Sequence, residues 1–135
     1  MLVAVGAVGA LCASPVRAAA VVGVWTTTEG SQIELVDCGQ ALCGKLVDSP
    51  ALTIDPAATD TKNPDAALRG RALKGLLILS GFQGGPQKWH DGTIYDSKTG
   101  SSYSASLELV SDDVVELKAC LVGPLCKTQK WTRKH

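Results

Sequence analysis

Residues 101–109 read SSYSASLEL: Tyr103, Ala105, Leu107 and Leu109 fall on one face, Ser102, Ser104, Ser106 and Glu108 on the other. A period of two is the pattern of a strand with one buried side, and a helix cannot sort these residues the same way. Such a strand needs partners, and the rest of the chain supplies them. Segment 22–28 ends at Glu29-Gly30-Ser31, and QIELVDC (32–38) sets Ile33 and Leu35 against Gln32 and Glu34. Gly39-Gln40-Ala41 turns the chain into 42–48, after which a long polar stretch runs to Ala72. LKGLLIL (73–79) reads as a fourth strand, leading through Gly84-Gly85-Pro86 to a fifth, 88–96, where Asp91-Gly92 predicts a bulge. DSKTG closes a hairpin with Gly100 in the left-handed position, and 114–121 and 125–133 complete the series.

Eight short strands, one short helix and no internal repeat specify an all-β protein, either a sandwich or a barrel. An eight-stranded antiparallel up-and-down barrel hides its edges by closure, which suits a small sheet protein and favours the barrel.

The N-terminal segment belongs to a different category. An apolar run from Met1 to Ala13, Pro15 and then VRAAA form a hydrophobic region followed by a small-residue cleavage site. Val16-Arg17-Ala18 and Ala18-Ala19-Ala20 both fit, so residues 1–20 are assigned to a signal peptide and 21–135 to a single barrel domain. The absence of a basic region before the apolar run points to a start farther upstream. Roughly 13 apolar residues are too few to span a bilayer, and Leu11 is too bulky for Cys12 to read as a lipid-attachment site. A periplasmic or secreted protein is expected, with no transmembrane segment after cleavage. The chain carries 13 basic and 13 acidic residues, and removal of Arg17 leaves it near neutral. That balance offers no polybasic surface for nucleic acid or membranes.

Four cysteines remain beyond the signal: Cys38, Cys43, Cys120 and Cys126. An even number in a short exported chain reads as two disulfides. Zinc is the competing reading, disfavoured by C-x4-C and C-x5-C spacings and by an oxidising compartment. Strand alternation points all four outward, in pairs flanking the second-to-third and seventh-to-eighth turns. In a meander those turns lie on opposite rims, so the bonds are Cys38–Cys43 and Cys120–Cys126.

Barrel closure also brings the first strand beside the last. Trp25 in AVVGVWTTTEG then meets Arg133 in KWTRKH, whose planar guanidinium can stack on the indole. Trp131 completes a plug of that rim, a structural role. Gly-x-Trp on the first strand with Arg on the last resembles the calycin signature shared by lipocalins. GVW, DCGQALCGKLV, DTKNPD, RALKGLLILSGF, WHDGTIYD, GSSYSA and WTR together resemble the exported bacterial proteins grouped as domain of unknown function family 2147. The resemblance covers nearly the whole mature chain and implies a lipocalin-like barrel outside the cytoplasm. It brings no established activity. Ser97, where that family usually has proline, is a departure that affects local turn geometry.

No catalytic constellation emerges. His90 adjoins the predicted bulge and His135 is terminal, neither in a recognisable motif, and GFQGGP lacks the lysine of a phosphate cradle. An enzyme, a cofactor and a metal are not expected.

Segment 48–72 is different, because a strandless stretch of that length is often functional. In DTKNPDAALRGR, Asn63 can cap a helix, Pro64 suits its first position and Gly70 can stop it. Topology puts this loop over the rim opposite Arg133, as a lid on the barrel mouth. Asp60 and Arg71 are expected to pin it by charge-assisted hydrogen bonds to each other or to rim backbone, exposed pairing alone being worth under about 1 kcal/mol. Tyr103 points inward, and strict alternation places Trp89 and Tyr95 together on one face of the fifth strand, also available to the interior. Asp60, Asn63, Arg71, Trp89, Tyr95 and Tyr103 are therefore the candidate ligand-binding residues. The leading expectation is a small apolar or amphipathic ligand at the mouth. The alternative is a filled barrel acting as an inhibitor-like module on an exported protein.

Overall fold

Segments of alternating polarity pair in chain order and close on themselves. The computed structural model describes residues 20–121 and 124–135, so the predicted signal peptide lies almost wholly outside it. The strands are β1 (Gly23–Thr26), β2 (Gln32–Asp37), β3 (Leu42–Asp48), β4 (Leu77–Gly84), β5 (Lys88–Asp96), β6 (Ser101–Ser111), β7 (Val114–Cys120) and β8 (Cys126–Arg133). Each pairs antiparallel with its sequence neighbours, and β1 closes on β8 through Trp25↔Arg133 and Thr26↔Thr132. The fold is a closed eight-stranded antiparallel barrel. Among the described residues, no helix is long and apolar enough to cross a membrane.

Both disulfides form as expected, Cys38–Cys43 and Cys120–Cys126. Cys43 keeps the outward register expected of it, since its neighbour Gly44 faces Ile33, Leu35 and Leu79 in the interior, but it is covered rather than solvent-exposed.

The fourth strand differs from its expected span of 73–79. Leu73 to Leu76 instead form a turn, with Leu76 N–H donating to Leu73 O over 3.0 Å and Gly75 N–H to Leu46 O over 2.7 Å. The strand runs on through Gly81 to Gly84. Apolar character alone could not separate a strand from a buried turn here, since Leu73 is buried either way.

β4 and β5 carry register shifts at the same height of the barrel. On β4 the inward side chain passes from Leu79 to Phe82, and on β5 the bulge lies between Trp89 and Gly92, with Asp91 at φ 58°. Phe82 fills the space beside Gly92, where any Cβ would overlap its ring. The predicted bulge is therefore real, and it reverses strand parity. Trp89 enters the core, whereas Tyr95 pairs with Ser102 on the outer surface.

The interior is packed. Trp25, Ile33, Leu35, Leu79, Phe82, Leu107, Val115, Leu117 and Trp131 lie at 2% exposure or less within one continuous apolar cluster. At one rim, Trp25 Nε1 donates to Val21 O over 3.0 Å and the Arg133 guanidinium lies 4.3 Å above the indole. Arg133 donates to Asp112 O (2.7 Å) and Val22 O (3.2 Å), and also to Ala20 O. Gly23 is required beneath it: φ is +141°, and a Cβ there would come within 2.8 Å of Arg133 Nη1. The Gly-x-Trp motif thus makes room for the arginine that caps the tryptophan.

Candidate functional site

The β3–β4 connection divides into two parts with different tasks. Its first part is a plug. Ser49 Oγ accepts from Leu52 N–H over 3.1 Å and Pro50 opens the short helix α1 (Pro50–Ile54). Neither this helix nor its cap was expected from the sequence. It lowers Leu52 into the barrel end, where Leu73 and Ala58 join the core. The mouth is closed by apolar side chains.

The second part, residues 59–72, is a strap over the outside of the barrel. Its neck is a bridge between Thr59 and Ala72, flanked by Asp60 N–H to Arg71 O (2.9 Å) and Leu73 N–H to Ala58 O (3.0 Å). Its head contains a single 3-10 turn (Ala66–Leu68) capped by Asp65, whose Oδ1 accepts from Ala67 N–H over 3.0 Å. Asn63 was expected to be the cap. Instead its Oδ1 accepts from Asp65 N–H (2.8 Å) and its amide donates to Asp60 Oδ2 (2.9 Å), so it shapes the turn before the helix. The strap sits directly on the β5–β6 hairpin: Gly100 faces the Lys62 carbonyl so closely that any Cβ would collide with it.

Asp60 is the hub. It is 1% exposed, and its side chain has no exposure. Tyr95 donates to Oδ1 over 2.6 Å, while Asn63 and Arg71 Nε donate to Oδ2 over 2.9 and 3.0 Å. Burial alone would raise the Asp60 pKa, but the donors from Tyr95, Asn63 and Arg71 outweigh it and hold the carboxyl below its ordinary value. Burial and the adjacent carboxylate push the Tyr95 phenol up. The expected Asp60–Arg71 pair is present, but as a buried carboxylate with a half-exposed guanidinium rather than a surface pair.

Between strap and sheet lies a groove of about 290 Å³. Its floor is the outer face of β4–β6, with Ile78, Ser80, Thr93, Tyr95 and Ser102, and the strap contributes Asn63, Pro64, Leu68 and Arg71. Four candidate residues therefore converge: Asp60, Asn63, Arg71 and Tyr95. Two do not join them. Trp89 is buried in the core beneath Gly85 at the Arg133 end, and Tyr103, opposite Ile94, faces the interior.

A closed eight-stranded barrel with these motifs can be placed among known proteins. Residues 23–133 match the model of a family described as "Uncharacterized protein conserved in bacteria (DUF2147)". The chain belongs to this family. Protein HP1028 from the human pathogen Helicobacter pylori, reported to belong to the lipocalin family, has a similar solved structure: TM-score 0.76 at 22% identity, over 85% of this chain and 83% of that one. That likeness establishes a lipocalin-like barrel. No curated protein matches the chain. Two disulfides and a bacterial family are compatible with an exported DUF2147 protein.

The sequence reasoning missed the floor of the groove, Ile78, Ser80, Thr93 and Ser102. Asp91-Gly92 was the available signal. Carrying its one-residue shift along β5 moves Thr93 and Tyr95 to the outer face, where both line the groove and Tyr95 meets Asp60.

Proposed function

We propose that this protein is an exported, non-catalytic carrier or sensor that holds a small amphipathic ligand in the lateral groove beneath the strap. The expected binding site at the mouth moves to the side of the barrel. The interior is filled from the Trp25–Arg133 rim to the Leu52–Leu73 plug, which removes support for a ligand at the mouth and favours the filled-barrel alternative. The one observation that supports a ligand reading is the lateral groove itself. The groove, at about 290 Å³, stands at the low end of the roughly 300–1,000 Å³ typical of ligand sites. Its walls mix apolar Pro64, Leu68, Leu77 and Ile78 with the hydroxyls of Ser80, Thr93, Tyr95 and Ser102.

Amide shift mapping tests the proposal, with decanoate, decanol and decylamine as probes. Saturable shifts at Ile78, Thr93, Tyr95 and Ser102, with Phe82 and Leu107 unmoved, support it. Absence of saturation by all three probes, or shifts centred on the core, overturns it.

A second reading rests on a separate observation. Ile54 (86% exposed) lies on the same rim as the β7–β8 turn, where Leu121 and Leu125 are 53% and 66% exposed. A filled barrel presenting these side chains fits docking to an exported protein. Saturable binding of a probe in the groove distinguishes the first reading from this one.

A further inference from the structure

The lateral groove has a charged end that its apolar walls do not explain. Among the described residues, Arg71 is the only charged side chain lining it. Its Nε is committed to Asp60 Oδ2 at 3.0 Å, and its guanidinium carbon lies 5.6 Å from the centre of the Tyr95 ring. Among the described residues, neither Nη of Arg71 has a hydrogen-bond acceptor, and the side chain is 38% exposed. Arg133, by contrast, uses all three nitrogens.

Asp60 offsets much of this charge through the Nε contact, but among the described residues it leaves both Nη groups without an acceptor. Both its oxygens are occupied, Oδ1 by Tyr95 and Oδ2 by Asn63 and Arg71, and its side chain has no exposed surface. The Nε–Oδ2 bond restrains the guanidinium and leaves its two Nη groups as a fork on a side chain that lines the groove. Such a fork matches a carboxylate or phosphate head bidentately. Leu68 and Leu77, 38% and 44% exposed, and Ile78 line the same groove and provide apolar surface for a short tail.

We infer that Arg71 is the anion anchor of this groove, and that its ligand is an amphipathic anion with a carboxylate or phosphate head and a short apolar tail. Asp60 and Tyr95 are positioning residues that orient the guanidinium without touching the ligand. This rests on the lateral-groove reading above and adds the head-group class to it.

The test compares decanoate, decyl phosphate, decanol and decylamine on the wild-type protein, on Arg71→Lys and on Arg71→Gln. Anionic probes should bind the wild type at least tenfold more tightly than decanol or decylamine. Arg71→Lys keeps a cation beside Asp60 but loses the planar fork, so anion affinity should fall about tenfold while decanol binding holds. A preference for decanoate or for decyl phosphate identifies which head the groove takes. Should either variant release the strap, the wild-type Arg71 side-chain N–H resonances still decide the matter: they should shift with the anions and not with decanol. Equal binding of decanol and decanoate, tightest binding of decylamine, or unmoved Arg71 resonances would overturn the anchor while leaving the groove intact. Failure of every probe to bind would instead remove the lateral-groove reading itself.

Discussion

The Tyr95 hydroxyl donates to Asp60 Oδ1 at 2.6 Å, tying the outer face of β5 to a strap residue 35 positions earlier in the chain. Three side-chain donors converge on that one buried carboxylate, so the strap depends on it. Asp60→Ala would leave Tyr95, Asn63 and Arg71 without their acceptor, a loss of about 2–3 kcal/mol for charge-assisted bonds of this kind. The strap can open while the barrel stays folded, so the global loss cannot exceed the free energy of strap closure. Amide exchange should accelerate across 59–72 in this variant with the strands still protected. Uniform loss of protection would show that the strap and barrel unfold as one.

The same cluster fixes a pH window. Asp60 titrates below its unfolded value, so its contribution is fully present above that value and is lost as pH falls through the lower folded pKa. Tyr95 titrates above its ordinary value, so its contribution is present below about pH 10 and is lost only as pH rises through the higher folded pKa. Strap protection should therefore be flat from neutrality down to about pH 4 and decline below it. A transition near pH 6 would mean that a different group holds the strap.

At the opposite rim, β1 and β8 meet over only two residue pairs, and Arg133 reinforces that seam. It stacks on Trp25 and, within the expected mature chain, donates to the Asp112 and Val22 carbonyls, so Arg133→Ala should cost about 2 kcal/mol. Trp25→Ala should cost about 3–5 kcal/mol, as for a buried aromatic. Chemical denaturation of both single variants and the double should show losses that fall short of additivity, because the residues share a contact. Arg133→Lys should recover little, since an ammonium cannot reproduce the planar stack.

Much of this architecture could be read from alternation. The β6 pattern, the Trp25–Arg133 closure and both disulfide pairings follow from a period of two combined with a meander. The site was legible only in part. Asp60, Asn63 and Arg71 stood out as polar residues in a long loop, yet Tyr95 was assigned to the wrong face because one inserted residue at Asp91 reverses everything after it. The division of the loop into plug and strap was hidden for another reason. Leu52 sits in a largely polar loop and Leu73 at the head of an apolar run that reads as strand, and only the open barrel end makes the two of them a plug.

The disulfides close short loops, Cys38 to Cys43 and Cys120 to Cys126, so each should add about 2 kcal/mol, the lower end of the usual range. Non-reducing peptide mapping should find these two pairs alone. A Cys38–Cys120 or Cys38–Cys126 peptide would contradict the meander as well as the pairing.

Gly100 gives a way to lift the strap without touching its charges. Its φ of +79° already disfavours a side chain, and the Lys62 carbonyl occupies the place a Cβ would take. Gly100→Ala must therefore either strain the β5–β6 turn or displace the strap head, and displacement of the head is the expected response. The left-handed backbone alone should cost roughly 1–2 kcal/mol. Exchange across 61–70 should rise as it does in Asp60→Ala, and any anionic probe held by Arg71 should weaken, although residue 100 carries no charge. In the double variant the two effects should saturate, since a strap already released by one change has nothing more to lose from the other. Fully additive stability losses would show instead that Gly100 acts through the hairpin, and that the strap is held by Asp60 alone.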